Sequence, residues 1–99
     1  MSTSERQKRI QELISWAKPN LSDMISPPER WEFGDNEFAP SNYAEDREDR
    51  FIRIVQFEAQ KRYGVSLQTA KDYARMVLFH YASQIQQIAA RKWSQSRER

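Results

Sequence analysis

Three groups of side chains in this 99-residue chain are able to do chemistry. Glu45, Asp46, Glu48 and Asp49 form a crowd of carboxylates of the kind that can serve acid–base work. They alternate with Arg47, Arg50 and Arg53 near an expected helix start, so a solvated, salt-bridged face is the expectation for them. His80 is the single histidine and there is no cysteine, which removes disulfides, thiol catalysis, cysteine-based zinc and any histidine-rich metal site. His80 is expected as a satisfied histidine on an apolar stretch rather than a ligand. No glycine-rich phosphate loop is present, and no Ser/His/Asp set with positional logic. No enzyme activity, metal or cofactor is expected. What remains is cationic chemistry. The net charge of +2 conceals a segregation: residues 21–50 hold three basic against nine acidic residues, and residues 51–99 nine basic against three acidic. A clustered basic region is the electrostatic footprint of a phosphate-binding surface, although ordinary solvated helix faces produce the same imbalance.

The elements that must position these groups read as helices. Ile10, Leu13, Ile14 and Ala17 recur at i, i+3, i+4 and i+7, which predicts an amphipathic helix over residues 3–17. Ser2 and Glu5 have capping-box spacing, and Lys18-Pro19-Asn20 ends the element. Residues 18–41 read as an irregular acidic linker containing Pro27, Pro28, Pro40 and Gly34. Trp31–Phe33 and Glu37–Ala39 flank Gly34-Asp35-Asn36 and offer a small hairpin, and Trp31 and Phe33 are expected to pin the segment to the helices. A second helix is predicted over residues 43–63, capped by Ser41 or Asn42. Phe51, Ile52, Val55, Ala59 and Tyr63 form its buried stripe, widened by Ile54 and Phe57. A third helix follows Ser66 and is predicted to reach Trp93, leaving residues 94–99 as a basic tail. Ala74, Leu78, Tyr81, Ile85 and Ile88 repeat in steps of four and three. That seam predicts a homodimer interface; the alternative is packing on the first two helices of the same chain.

Between the second and third helices lies Gly64-Val65-Ser66. Glycine reaches positive φ without a Cβ clash, Val65 supplies an apolar wedge, and the Ser66 hydroxyl can cap the next helix. The run from Gly64 to Tyr73 resembles the turn and recognition helix of helix-turn-helix DNA-binding proteins. In that family a glycine is followed by a small apolar residue and serine, with threonine five residues on and apolar residues at six and nine. Thr69, Ala70 and Tyr73 hold those places here. The family often has alanine four residues before the glycine, where the helices cross closely. Gln60 stands there, with Ala59 beside it. No glycine-bearing hairpin follows to serve as a wing.

The resemblance implies roles by position. Gln68 would meet adenine edges, Lys71 and Arg75 guanine edges or phosphates, and Ser66 and Thr69 phosphate oxygens. Asp72 would share the exposed side, and Lys61 and Arg62 would add phosphate contacts. Arg91, Lys92 and Trp93 lie further along, within reach of flanking DNA or a neighbouring protomer. The expectation is thus an all-α domain over residues 1–93, with a helix-turn-helix-like joint at Gly64–Ser66 and a long C-terminal helix. Its partner would be double-stranded DNA, in transcription regulation or replicon organisation. As a dimer it would address half-sites about 34 Å apart. The alternative is a helical oligomerisation or adaptor module that binds a protein. A Gly64 stop and a Ser66 cap suit any tight helix–helix joint. No apolar run approaches the ~20 residues of a membrane span, and the polar N-terminus lacks the apolar core of a signal peptide, so a cytoplasmic location is expected.

Overall fold

The computed structural model describes the backbone of residues 2–98 and the side chains of residues 5–98; the Ser2 half of the expected capping box lies outside the described side chains. Helix α1 spans Ser2–Ala17, a 3-10 turn covers Lys18–Asn20, and the one-turn helix α2 covers Leu21–Met24. After a non-helical arm over residues 25–38 come α3, Ala39–Tyr63, and α4, Leu67–Arg97. The architecture is all-α, and there is no strand among the described residues. The offered hairpin around Gly34 is instead a set of turns, with Phe33 at φ 67° and Gly34 at φ 66°.

Helices α3 and α4 form one long antiparallel hairpin. Tyr43 near the start of α3 meets Trp93 near the end of α4, with ring centroids 5.6 Å apart. Midway, Ile52 and Arg53 share a groove with Lys71 and Arg75. Buried positions recur every four residues on α3 (Tyr43, Arg47, Phe51, Val55, Ala59), and they face Ala70, Ala74, Val77, Tyr81 and Ile85 of α4. The small side chains Ala59, Ala70 and Ala74 sit where the two helices come together near the joint. Helix α1 lies alongside, parallel to α4. Arg9 reaches the Tyr73 hydroxyl at 3.4 Å, and the Tyr81 hydroxyl donates to the Ile14 carbonyl at 2.6 Å. The resulting body measures 52 × 22 × 19 Å.

This packing decides the fate of the α4 seam. Ala74, Tyr81, Ile85 and Ile88 are buried and Leu78 half-buried, all against the chain's own helices. Burying a side chain the size of Ile85 or Ile88 contributes about 1.5–3 kcal/mol, and apart from the half-buried Leu78 the seam keeps little surface for a second copy. The seam is therefore a core seam, not the dimer interface expected from its spacing. Widening of the α3 stripe also fails: Ile54 and Phe57 point outward, Phe57 being 71% exposed.

The joint behaves as its residues dictate. Gly64 takes φ 61°, ψ 27° and its N–H donates to the Gln60 carbonyl at 2.9 Å, closing α3 with a left-handed cap. Ser66 is the N-cap of α4, and its hydroxyl oxygen accepts from the Thr69 N–H at 3.2 Å. Replacing Ser66 by alanine orphans that N–H and is expected to cost about 1 kcal/mol, read as a lower urea midpoint at unchanged slope.

Helix α3 starts earlier than expected, at Ala39 after Phe38, with no side-chain cap and with Pro40 inside the first turn. Proline is tolerated there because that N–H has no intrahelical partner to lose. The acidic run from Glu45 to Asp49 consequently sits beyond the first turn of α3 rather than at its positive end. Nor do residues 94–97 form a tail: α4 continues to Arg97, whose guanidinium lies 4.0 Å over the Trp93 ring and donates to the Arg30 and Gly34 carbonyls.

The arm is held by Arg47, which is 1% exposed. Its Nε donates to the Ser26 carbonyl at 2.9 Å, and Nη2 donates to the Pro27 carbonyl at 3.2 Å and to Glu32 at 3.0 Å. Nη1 pairs with Asp46. Of the two aromatics expected to pin the arm, Phe33 does so, edge-on to Tyr43 and Trp93, whereas Trp31 is 79% exposed. The Glu29 N–H donates to the Glu32 carboxylate at 2.7 Å, and that bond, opposed by burial and reinforced by Arg47 and Arg50, holds Glu32 below the usual carboxylate range. A depressed folded pKa stabilises above the unfolded value and is lost as pH falls through the folded one. The arm's contribution is thus expected to decline below about pH 4.3, the ordinary glutamate value. Tm measured against pH should show a shallower acid decline for Glu32→Gln than for the parent.

Candidate nucleic-acid interface

The first turns of α4 are open to solvent. Gln68, Lys71, Asp72 and Arg75 are exposed and succeed one another at i, i+3, i+4 and i+7, so they share one outward arc. The arm lies at the opposite end of the hairpin, against Tyr43 and Trp93, and does not cover them. Gln68 is not idle: its amide donates to the Asp72 carboxylate at 3.0 Å. Ser66 and Thr69 are committed to the cap, the Ser66 hydroxyl donating to the Thr69 hydroxyl at 3.0 Å.

Lys71 and Arg75 line one side of a groove whose other wall is α3, with Ile52, Arg53 and Gln56, and Asp49 as its acidic member. Among the described residues none of Arg53, Lys71 and Arg75 is in a salt bridge. Three cations against the single carboxylate of Asp49 leave the groove with an excess of positive charge, which favours an anion. Arg53 was not a candidate from sequence. It is twenty-two residues from Arg75 and joins it only because α3 and α4 run antiparallel.

The remaining expected contacts disperse. Arg62 is paired with Glu58 at 2.9 Å and faces a different groove, shared with Lys8 and Trp16 of α1. Lys61 is exposed near the joint but lines neither groove. Lys92 is turned inward, donating to the Ser22 and Ile25 carbonyls at 2.5 and 2.6 Å. Burial lowers its pKa below the ordinary lysine value. Trp93 is occupied by Tyr43, Phe33 and Arg97, which withdraws it from any stacking role. His80 is exposed, edge-on to Tyr81 at 4.7 Å. Among the described residues there is no group of acidic or histidine side chains that could hold a metal, and no helix is long and apolar enough to cross a membrane.

The Gly64 stop and Ser66 cap are features that helix-turn-helix joints share with any tight helical hairpin, and the helices linked here run side by side rather than crossing steeply. Recognition helices in that family stand at about 90–120° to the preceding helix. Here Ala59, not Gln60, takes the fully buried place near the joint, and α3 continues beside α4 for its whole length. No family model matches the chain, and no curated protein or solved structure is detectably similar to it.

Proposed function

We propose that this chain is a small DNA-binding protein that sets the outward arc of α4 against duplex DNA. Lys71 and Arg75 hold phosphates with help from Arg53, and Gln68 meets base edges once it exchanges Asp72 for a base. The observation that carries the reading is that Arg53, Lys71 and Arg75, none of them in a salt bridge among the described residues, outnumber the one carboxylate of their groove, Asp49, beside an exposed helical face. Phosphate contact is the main source of affinity for such a surface, and it requires no steep helix crossing. The role is non-enzymatic and cytoplasmic, in transcription regulation or replicon organisation, and no dimer through the α4 seam is involved.

A second reading has an observation of its own. Phe57 and Phe79 are 71% and 81% exposed on the two helices of the hairpin, a pattern that also suits an adaptor covering them with a protein partner. Anisotropy titration of a labelled mixed-sequence duplex at low salt separates the two. Saturable binding that Arg75→Ala weakens by about 1–3 kcal/mol supports DNA. Absence of binding, or an Arg75→Ala protein that binds like the parent, leaves the adaptor reading.

A further inference from the structure

We infer that the side of the hairpin carrying the groove cations is a two-fold contact between two copies of this chain, in which the acidic end of each face covers the cations of the other. The contact stands on observations of its own. That it hides the DNA-contacting residues rests on the reading above.

The face is built from two stripes. On α3, Ser41, Glu45, Glu48, Ile52 and Gln56 follow one another in steps of three and four, and so share one side of the helix. On α4, Lys71, Arg75, Leu78, Ala82, Gln86 and Ala90 do the same. The helices are antiparallel, so the start of one stripe lies beside the end of the other. Gln86 and Ala90 share a groove with Glu45 and Glu48, and Lys71 and Arg75 share the next stretch with Asp49, Ile52 and Arg53. Neither α1 nor the arm lines either stretch.

Charge is sorted along this face. Glu45 and Glu48 lie toward the arm with Asp49 next to them, and Arg53, Lys71 and Arg75 lie toward the joint. Among the described residues none of the six is in a salt bridge. Burial, and after it the charges of Asp49 and Glu45, hold the Glu48 carboxyl above the usual carboxylate range, so the acidic end lacks a cation of its own. Between the two ends stand Ile52 and Leu78, each half-buried against the core and half left to the surface.

A surface with this pattern is its own complement. A two-fold axis lying in the plane of the face, across the hairpin at Ile52 and Leu78, lays the cationic end of one chain over the acidic end of the other. Such an isologous contact closes at two chains. Ile52 and Leu78 meet their copies at its centre and shed water there. Residues 41–56 make a helical stretch about 24 Å long, and two packed helices are about 20 Å wide, which gives roughly 500 Å² for each partner. About 1,000 Å² in total is at the low end of specific interfaces, so the pair is transient, and its charged contacts make it sensitive to salt. This face is not the α4 seam, whose other members are buried in the single chain. Duplex DNA and a second copy compete for Arg53, Lys71 and Arg75.

Sedimentation equilibrium of the full chain tests this. At low salt the mass should rise with concentration from one chain toward two, and added salt should suppress the rise. Glu45→Lys/Asp49→Lys makes the face almost wholly positive, and Lys71→Glu/Arg75→Glu makes it almost wholly negative. Each reversed protein should pair with itself at least about tenfold more weakly than the parent, because like charges now meet. Mixed in equal amounts, the two should form a one-to-one pair tighter than the parent's own. All four substituted residues are exposed, and far-ultraviolet circular dichroism checks that each variant keeps its helices. Recovery in the mixture also excludes misfolding as the cause of the loss. A parent that stays a single chain throughout, reversed proteins that pair with themselves like the parent, or reversed proteins that ignore each other would overturn the inference. Growth beyond two chains would do the same, since a closed two-fold contact forbids it. A single chain that still binds duplex leaves the DNA-binding reading standing. A parent that pairs as described but binds no duplex keeps this inference and removes that reading.

Discussion

Replacing Arg47 by alanine is expected to release the arm and to cost the domain about 3–5 kcal/mol, the usual range when one partner of a buried ionic group is removed. The side chain is 1% exposed, so nothing in solvent compensates for its loss. Three sets of groups would be left behind. The Pro27 carbonyl loses its donor and the Ser26 carbonyl one of its two, keeping only the Tyr43 hydroxyl; Glu32 loses its nearest cation, and the ring of Tyr43 loses the guanidinium 4.8 Å above it. A void the size of an arginine adds a packing term. Arg47→Lys should recover little, because one ammonium cannot span two carbonyls and two carboxylates in the planar fork that the guanidinium provides. The effect should be local in structure though large in energy. Phe51, Val55, Val77 and Ile85 lie in the hairpin core away from the arm and should keep α3 and α4 together. Denaturant unfolding gives the loss, and tryptophan fluorescence reports the arm through Trp93, which Phe33 and Tyr43 contact. A loss under about 1 kcal/mol, as at a surface ion pair, would contradict the role given to Arg47.

That residue also marks the limit of what the chain's spelling conveys. Arg47 stands among Glu45, Asp46, Glu48 and Asp49, and a charge inside such a run reads as solvated. Only the folding of residues 25–38 over α3 buries it, and that path depends on contacts between segments some twenty residues apart. Local signals fared better. The stripe of α1, the left-handed stop at Gly64 and the cap at Ser66 each depend on residues within one or two turns, and each stands in the structure as its residue types imply. Pro40 misled because the prolyl ring is compatible both with a linker and with the first turn of a helix. The α4 seam was ambiguous for a related reason: a step of three and four states that a face is buried without stating what buries it, and here α1 and α3 do so. For the candidate interface, the exposure of Gln68, Lys71 and Arg75 follows from helical period alone. The addition of Arg53 and the departure of Arg62 toward α1 follow from the antiparallel register, which no local pattern encodes.

The second large effect concerns the groove cations themselves. Substituting Lys71 and Arg75 together by glutamine keeps side chains of similar reach and helix propensity but removes two charges that lie beside Arg53. Both residues are exposed, so the fold should be unaffected, with far-ultraviolet spectra and the urea midpoint close to those of the parent. Gln68→Ala, by contrast, should change the preference among duplex sequences more than the overall strength of binding, since an amide carries no charge for phosphate.

The most direct measurement is the dependence of duplex affinity on salt, taken for the parent and for the Lys71→Gln/Arg75→Gln protein in the same titrations. Each phosphate neutralised by a cation releases counterions and steepens the plot of log K against log salt by about 0.9. The parent should therefore give a steep negative slope, and the double variant one shallower by about 0.9 for each cation removed. Parallel lines for the two proteins, or an affinity that does not respond to salt, would contradict the assignment of Lys71 and Arg75 to phosphate and with it the DNA-binding account.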